Sequence, residues 1–166
     1  MECKNLIVIT GTSCQGKTYI TWKLRGRYGI HSIHTDMIYT PDDGRPPSTA
    51  KMGELDKVKE DYLKAQIPLM TETTILEGSH AGNQAELDLI KEVLGFNGKA
   101  YQFRVESPNY EKQFNDKYKY ASEKKKKMIK NWCKSLYNLQ GVTMIVSGEE
   151  EIVKFLEDEE NVYLSR

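Results

Sequence analysis

The sequence predicts an α/β fold in which a five-stranded parallel sheet carries helices on both faces. Two observations carry that expectation. Five apolar runs, at residues 6–10, 32–35, 74–77, 100–105 and 142–146, alternate with segments whose apolar residues recur at helical spacing. The first run leads directly into the octet Gly11-Thr12-Ser13-Cys14-Gln15-Gly16-Lys17-Thr18, and the residues after it continue with helical character, a strand–loop–helix order. At 166 residues the chain suits one domain spanning 1–166, with a proper core, and is short for two of ordinary size.

The elements follow in order. A helix is expected to start at Lys17 and to be ended by Gly26 and Gly29. After the second run, Thr40-Pro41-Asp42-Asp43-Gly44-Arg45-Pro46-Pro47-Ser48 is too rich in proline and glycine for regular structure and reads as a loop. Leu55, Val58, Tyr62, Leu63 and Ile67 then recur at steps of three and four and give one helix. Leu87, Ile90, Val93 and Leu94 give the next. Residues 108–140 exceed a simple crossover, so two helices are expected there. The first is polar; the second is half-buried through Met128, Ile129, Trp132, Leu136 and Leu139. The last helix, 149–157, carries its acidic residues at the N-terminal end, where they oppose the helix dipole favourably.

Composition narrows the function classes. The 24 basic and 24 acidic side chains cancel, so no global field selects nucleic acid or a membrane surface, and any polyanion site is local. Cys3, Cys14 and Cys133 are odd in number and far apart, which suggests neither a disulfide framework nor a zinc site and fits a reducing compartment. The amino terminus lacks the charged-then-apolar pattern of a secretory signal, and no run approaches about 18 apolar residues. The expectation is a soluble, cytoplasmic protein without a membrane partner.

The octet matches G-x-x-x-x-G-K-[ST], whose physical content is anion capture. Gly11 and Gly16 lack a Cβ, so the backbone of Thr12, Ser13, Cys14 and Gln15 can curl and aim N–H groups at a polyphosphate beside a helix N-terminus. Lys17 is expected to reach the β- and γ-phosphates, and Thr18 to set its hydroxyl on Mg²⁺. Asp36, just beyond the second run, falls at the carboxyl edge of the sheet beside the loop. A carboxylate there can orient an acceptor hydroxyl and accept its proton; its other reading is a cap on the segment that follows. Glu77 closes the third run where an acid can hold the water shell of Mg²⁺, although an acid at a strand end is also simply solvated. Ser79 and His80 follow at the same edge and are candidate substrate contacts.

Positive charge over a transferring phosphoryl group usually comes from a segment that closes over it. The candidate lid is 107–127, with Lys112, Lys117, Lys119 and the run Lys124-Lys125-Lys126-Lys127. Arg104, near the end of the fourth run, is a separate catalytic cation candidate, and Arg45 in the proline-rich loop is a candidate contact for an anionic acceptor. Tyr39, Tyr110, Tyr118 and Tyr120, interleaved with the lysines, can stack bases or serve as ordinary packing.

On GTSCQGKT, Asp36 after the second strand, Glu77 after the third and a basic candidate lid before the fifth, the chain resembles the small P-loop kinases, a group that includes polynucleotide 5'-kinases, nucleoside and nucleotide kinases and phage kinases of hydroxymethylated bases. The resemblance implies a P-loop NTPase three-layer sandwich with strand order 2-3-1-4-5 and a helical lid. It also implies ATP or GTP with Mg²⁺ at residues 11–18 and an acceptor hydroxyl near Asp36, on a nucleotide or nucleic acid. The lysines of the lid, where such kinases carry arginines, and Glu77, where Asp is commoner, depart from the pattern. Two other activities share the motif: a nucleotide-driven switch or NTPase without a small acceptor, and a kinase of a non-nucleotide small molecule. A guanine-reading N-K-x-D is missing from the end of the fourth run, Phe103-Arg104-Val105-Glu106.

Overall fold

The computed structural model describes residues 2–12, 14–141 and 143–165, so Ser13 of the octet and Val142 of the fifth run lie outside the described residues. The strands are β1 (Asn5–Thr10), β2 (Ser32–His34), β3 (Thr73–Glu77), β4 (Lys99–Val105) and β5 (Thr143–Val146). They form one parallel sheet in the order β2-β3-β1-β4-β5, as the resemblance implies. The helices are α1 (Lys17–Tyr28), α2 (Asp36–Tyr39), α3 (Lys57–Gln66), α4 (Gln84–Leu94), α5 (Tyr110–Lys117), α6 (Glu123–Leu136) and α7 (Glu149–Glu160).

The uninterrupted apolar character of β1 has a simple cause: it is the central strand and is buried on both faces. Ile7 and Ile9 point into one core with Ile20 and Leu24 of α1 and Ile152 and Leu156 of α7. Leu6 and Val8 point into the other, with Leu63 of α3 and Leu87 and Ile90 of α4. Helices therefore cover both faces, and the carboxyl ends of β1, β2 and β3 converge on one edge.

Several elements depart from the sequence expectations. Gly26 does not end α1; the helix runs on to Tyr28 and stops at Gly29, which adopts a left-handed conformation and donates to Arg25 O. An interior glycine costs a helix only about 1 kcal/mol, which packing against the sheet readily offsets. The second strand stops at His34, because Thr35 already has helical angles and precedes α2. Leu55 lies outside α3, whose start is set by Asp56 accepting from Lys59 N–H, and Ile67 opens a 3₁₀ turn rather than closing the helix. In the segment before β5, the expected half-buried face of α6 is narrower than its spacing suggests. Cys133 and Leu136 are buried, whereas Met128 and Trp132 stay more than half exposed. The nominally polar α5 buries Phe114 completely. α7 extends three residues beyond the expected end at 157, to Glu160.

The edge strand β2 is closed by a side chain. The outward-facing N–H of His34 donates to the Tyr62 hydroxyl at 3.2 Å, and that hydroxyl donates to His34 O at 3.0 Å, so the phenol takes the place of a sixth strand. No helix among the described residues is long and apolar enough to cross a membrane.

Candidate functional site

The loop between β1 and α1 is shaped by close backbone approach. Gly11 has φ 146°, and a Cβ there would lie 2.8 Å from Val105 O, so no other residue fits without displacing β4. Gly16, also left-handed, sits at the N-cap of α1, and no side chain caps the helix. Gly16 has no side chain to offer the first-turn amides, and no acidic residue occupies that turn.

Lys17 is only 7% exposed, and its Nζ donates to Thr12 O at 2.8 Å. Burial lowers its pKa, an effect partly offset by the carboxylates of Glu77 and Asp36. Thr18 Oγ1 donates to Glu77 Oε1 at 3.4 Å. Glu77 is 2% exposed, and its Oε2 lies 2.7 Å from His34 Nδ1. Gly78 makes the turn after β3 possible. It has φ 142°, and a Cβ there would stand 1.9 Å from Thr35 Oγ1 and 3.3 Å from Asp36 Oδ1. The main chain of β3 and the Asp36 carboxylate can therefore lie side by side.

Asp36 opens α2, and its Oδ1 is 3.4 Å from His80 Nδ1. That imidazole is the main cause of a carboxyl pKa below the usual range; burial opposes it, and Lys17 and His34 add to it. His80 Nδ1 is buried and is not aligned for a hydrogen bond to any described residue, so the contact is one of charge and dipole. The His80 ring is stacked on Tyr39, with centroids 4.5 Å apart, and meets Trp132 edge-on at 5.8 Å. Tyr39 is fixed in turn by its hydroxyl on the Glu86 carboxylate, and Glu86 is paired with Lys59 at 2.5 Å. Both members of that pair are fully buried. Burial first, and then the Glu86 carboxylate, push the Tyr39 hydroxyl pKa far up, so it stays a donor.

These elements enclose a cavity of about 400 Å³ lined by Cys14, Gly16, Lys17, Thr18, Asp36, Glu77, Ser79, Gln113 and Lys117. It brings together Cys14, Gly16, Lys17, Thr18, Asp36, Glu77 and Ser79 of the residues the sequence singled out, with Lys117 of the candidate lid. Ser79 enters it beside the loop, donating from Oγ to Gly11 O at 2.9 Å. Thr12 and Gln15 belong to the loop but serve its shape: Thr12 O receives Lys17, and Gln15 Oε1 accepts from Ser107 N–H at 2.6 Å, tying the loop to the segment after β4. His80 stands behind Asp36 rather than in the cavity wall.

Two candidates are drawn elsewhere. The Arg104 guanidinium stacks on Tyr137 at 4.5 Å and pairs with Glu106 at 3.7 Å, outside the cavity lining. Arg45 pairs with Asp43, donates to Met37 O and lies over the Tyr62 ring. It lines a separate cavity of about 580 Å³ with Met37, His34 and Tyr62. Four residues of the site region, Gln113, His34, Lys59 and Glu86, were not among the candidates the sequence offered. Gln113 sits four residues before Lys117 on α5, a spacing that puts both on one helix face and was available in the sequence. His34 and the buried Lys59–Glu86 pair gave no local signal, since their partners are 43 and 27 residues away in sequence respectively.

The Thr18 hydroxyl and the Glu77 carboxylate, adjacent in the cavity wall, are the oxygen donors that could hold Mg²⁺. Among the described residues no group of three or more acidic, His or Cys side chains forms a closed metal cage.

No protein-family model and no curated protein matches the chain. Solved structures do. A gluconokinase from Sinorhizobium meliloti 1021 matches with a TM-score of 0.53 at 16% identity, over 88% of this chain and 83% of its own. A sugar kinase from Janibacter sp. HTCC2649 gives 0.53 at 16% identity, covering 97% of this chain and 98% of its own. YorR from Bacillus subtilis, solved in complex with phosphorylated GDP, gives 0.55 at 12% identity, covering 95% and 99%. The fold is that of the small P-loop kinases. At these identities the likeness concerns the fold, and the chemistry of this chain has to be argued from its own residues.

Proposed function

We propose that this P-loop protein is a phosphotransferase that moves the γ-phosphoryl group of ATP or GTP, with Mg²⁺, to a hydroxyl of a nucleotide or nucleic-acid acceptor. The observation that carries this reading is the single cavity holding both the phosphate loop, through Gly16, Lys17 and Thr18, and the Asp36 carboxylate. In the proposed reaction the triphosphate lies along the loop, with its anionic oxygens on the open amides at the start of α1 and on the Lys17 ammonium. Asp36 accepts the proton of the acceptor hydroxyl as that oxygen bonds to the γ-phosphorus. The bond from the γ-phosphorus to the bridging oxygen breaks, and the diphosphate leaves with the electron pair. A bound Mg²⁺ supplies charge neutralisation at the β- and γ-oxygens, and Thr18 and Glu77 are the residues that would hold it and its waters. The low pKa of Asp36 keeps the base ionised at neutral pH.

Residues 107–127 are proposed as the lid. Gln113 and Lys117 already line the cavity from α5, and Lys117 is the lid lysine proposed to join Lys17 at the γ-phosphate. Arg45 and Arg104 are engaged by carboxylates and ring faces, so a catalytic or acceptor role for either requires those pairings to open when substrate binds. What supports a base-bearing acceptor is the aromatic group beside Asp36. Tyr39 and His80 are stacked, and the half-exposed Trp132 offers a further ring at the same side. The gluconokinase and sugar-kinase neighbours make a sugar hydroxyl the competing acceptor.

The test is transfer from γ-labelled ATP and GTP to a panel of 5'-hydroxyl oligonucleotides, hydroxymethylpyrimidine DNA, nucleosides, nucleoside monophosphates, gluconate and simple sugars. Labelled product from a base-bearing acceptor, lost in Asp36→Asn, is expected. Product only from gluconate or a sugar would replace the acceptor class. Hydrolysis that ignores every acceptor and survives Asp36→Asn would replace kinase by NTPase.

A further inference from the structure

Behind the Thr18–Glu77 contact runs a second tier of polar groups, Ser32 buried and His34 half-buried, that the proposed reaction does not use. Glu77 Oε2 faces His34 Nδ1 at 2.7 Å, and His34 Nε2 lies 2.9 Å from Ser32 Oγ. The arrangement follows from the sheet. Ser32 and His34 are two apart on β2 and share a face, and His34 is in register with Glu77 on the neighbouring strand. A carboxylate only accepts, so Nδ1 must carry the hydrogen; Nε2 is then free to accept from the Ser32 hydroxyl. The main chain of His34 is pinned as well, by the Tyr62 hydroxyl on both its N–H and its C=O.

We infer that His34, oriented by Ser32, is a positioning residue that holds the Glu77 carboxylate in the rotamer that leaves Oε1 facing Thr18 and the Mg²⁺ shell. The inference rests on the reading that residues 11–18 take a nucleotide with Mg²⁺. The physical need is plain. Glu has three side-chain torsions, and a carboxylate that meets a metal only through waters gains little direct energy from it, so its direction has to be fixed by its other oxygen. Burial adds to the need: Glu77 is 2% exposed, and without the imidazole, Oε2 would lose its only described hydrogen-bond donor. The ordinary structural reading, that the contact merely seals a strand edge, makes a different prediction, because the edge is already sealed by Tyr62.

The test measures nucleotide uptake rather than turnover. A non-hydrolysable ATP analogue is titrated calorimetrically into wild type, His34→Leu and His34→Asn, in EDTA and across a Mg²⁺ series. In EDTA all three are expected to bind within about twofold of one another, since the loop itself is untouched. His34→Leu is expected to need about 10- to 100-fold more Mg²⁺ to reach half of the Mg²⁺-dependent gain in affinity, the usual range for loss of an outer-shell partner. His34→Asn, whose amide nitrogen occupies the place of Nδ1, is expected to recover most of that loss. A Mg²⁺ midpoint unchanged in His34→Leu, an Asn variant no better than Leu, or an equal loss of affinity in EDTA would each overturn the assignment. If His34→Leu does not fold, Ser32→Ala decides: a midpoint raised at least about twofold, the lower end for one neutral hydrogen bond, is expected, and an unchanged midpoint overturns it. A wild type that takes up no nucleotide in any buffer overturns this inference together with the proposed activity. Mg²⁺-dependent uptake that His34→Leu shares in full overturns the inference alone.

Discussion

Replacing Lys59 by Met should be among the most damaging single changes in this chain, although Lys59 does not line the cavity at the nucleotide loop. Its ammonium is fully buried and has three partners: Glu86 Oε1 at 2.5 Å, Glu54 O at 2.8 Å and Lys51 O at 3.5 Å. Methionine fills most of the volume but leaves the Glu86 carboxylate, also fully buried, with the Tyr39 hydroxyl and Gly53 N–H as its remaining described partners. Removing one member of a buried ion pair costs about 3–5 kcal/mol, because the surviving charge is no longer compensated. For a domain of this size each kcal/mol shifts the midpoint by about 2–4 °C, so Tm should fall by roughly 6–20 °C. The assay is paired thermal and urea unfolding of Lys59→Met, Glu86→Leu and the double variant. Removing both charges takes these partners from the Tyr39 hydroxyl, the Gly53 amide and the Glu54 carbonyl, about 1–3 kcal/mol for each that water does not reach, but leaves no uncompensated charge; replacing a whole buried pair by apolar groups is often neutral, so the double variant should be more stable than Lys59→Met. Where folded, Lys59→Met should bind nucleotide in EDTA within about twofold of wild type, since none of these groups lines the cavity at Lys17 and Thr18. A Lys59→Met protein within about 1 kcal/mol of wild type, or a double variant less stable than either single one, would refute the uncompensated-charge reasoning.

Lys17→Met should abolish nucleotide binding yet stabilise the ligand-free protein by about 1 kcal/mol, because it removes a cation whose burial is only partly offset. The sign follows from a lysine with a lowered pKa: wild-type stability should rise as pH climbs from the folded-state value towards about 10.4, and urea titrations of the variant should lose that rise. Gly78→Ala combines a left-handed backbone with a Cβ 1.9 Å from Thr35 Oγ1, so strain and overpacking together should cost roughly 3 kcal/mol or more, read as a lower urea midpoint at unchanged slope. His80→Ala removes the main cause of the depressed Asp36 carboxyl, so the acidic limb of the kcat/KM profile, which Asp36 sets in the proposed reaction, should move up towards about pH 4 from a lower wild-type value. An acidic limb that stays in place in that variant would separate His80 from the base.

The glycine-lysine-threonine octet and the apolar runs were readable because both are local codes. Strand β1 is apolar from Leu6 to Ile9 because it is central, and the loop needs glycine where main chain comes close, so each leaves its mark in consecutive residues. Asp36 and Glu77 were legible for a related reason, since a residue that closes a parallel strand must fall at the carboxyl edge. Spacing was less informative where a helix is short or lies over the site. Met128 and Trp132 repeat at helical intervals yet remain exposed, and Gly26 resembles a stop that the helix passes through.

By itself, then, the sequence determined the layered sheet, the helix that starts at Lys17 and the edge at which the polar residues gather, because these depend on propensity, periodicity and chain direction. Only the tertiary structure decided which side chains meet. It set His34 against Glu77, Lys59 against Glu86, and Gln113 with Lys117 over the loop, and it turned Arg45 and Arg104 towards carboxylates and rings instead of the cavity. The physical reason is that electrostatic pairing and desolvation act through space over a few ångströms, and no pattern along the chain encodes which distant residues packing will bring that close.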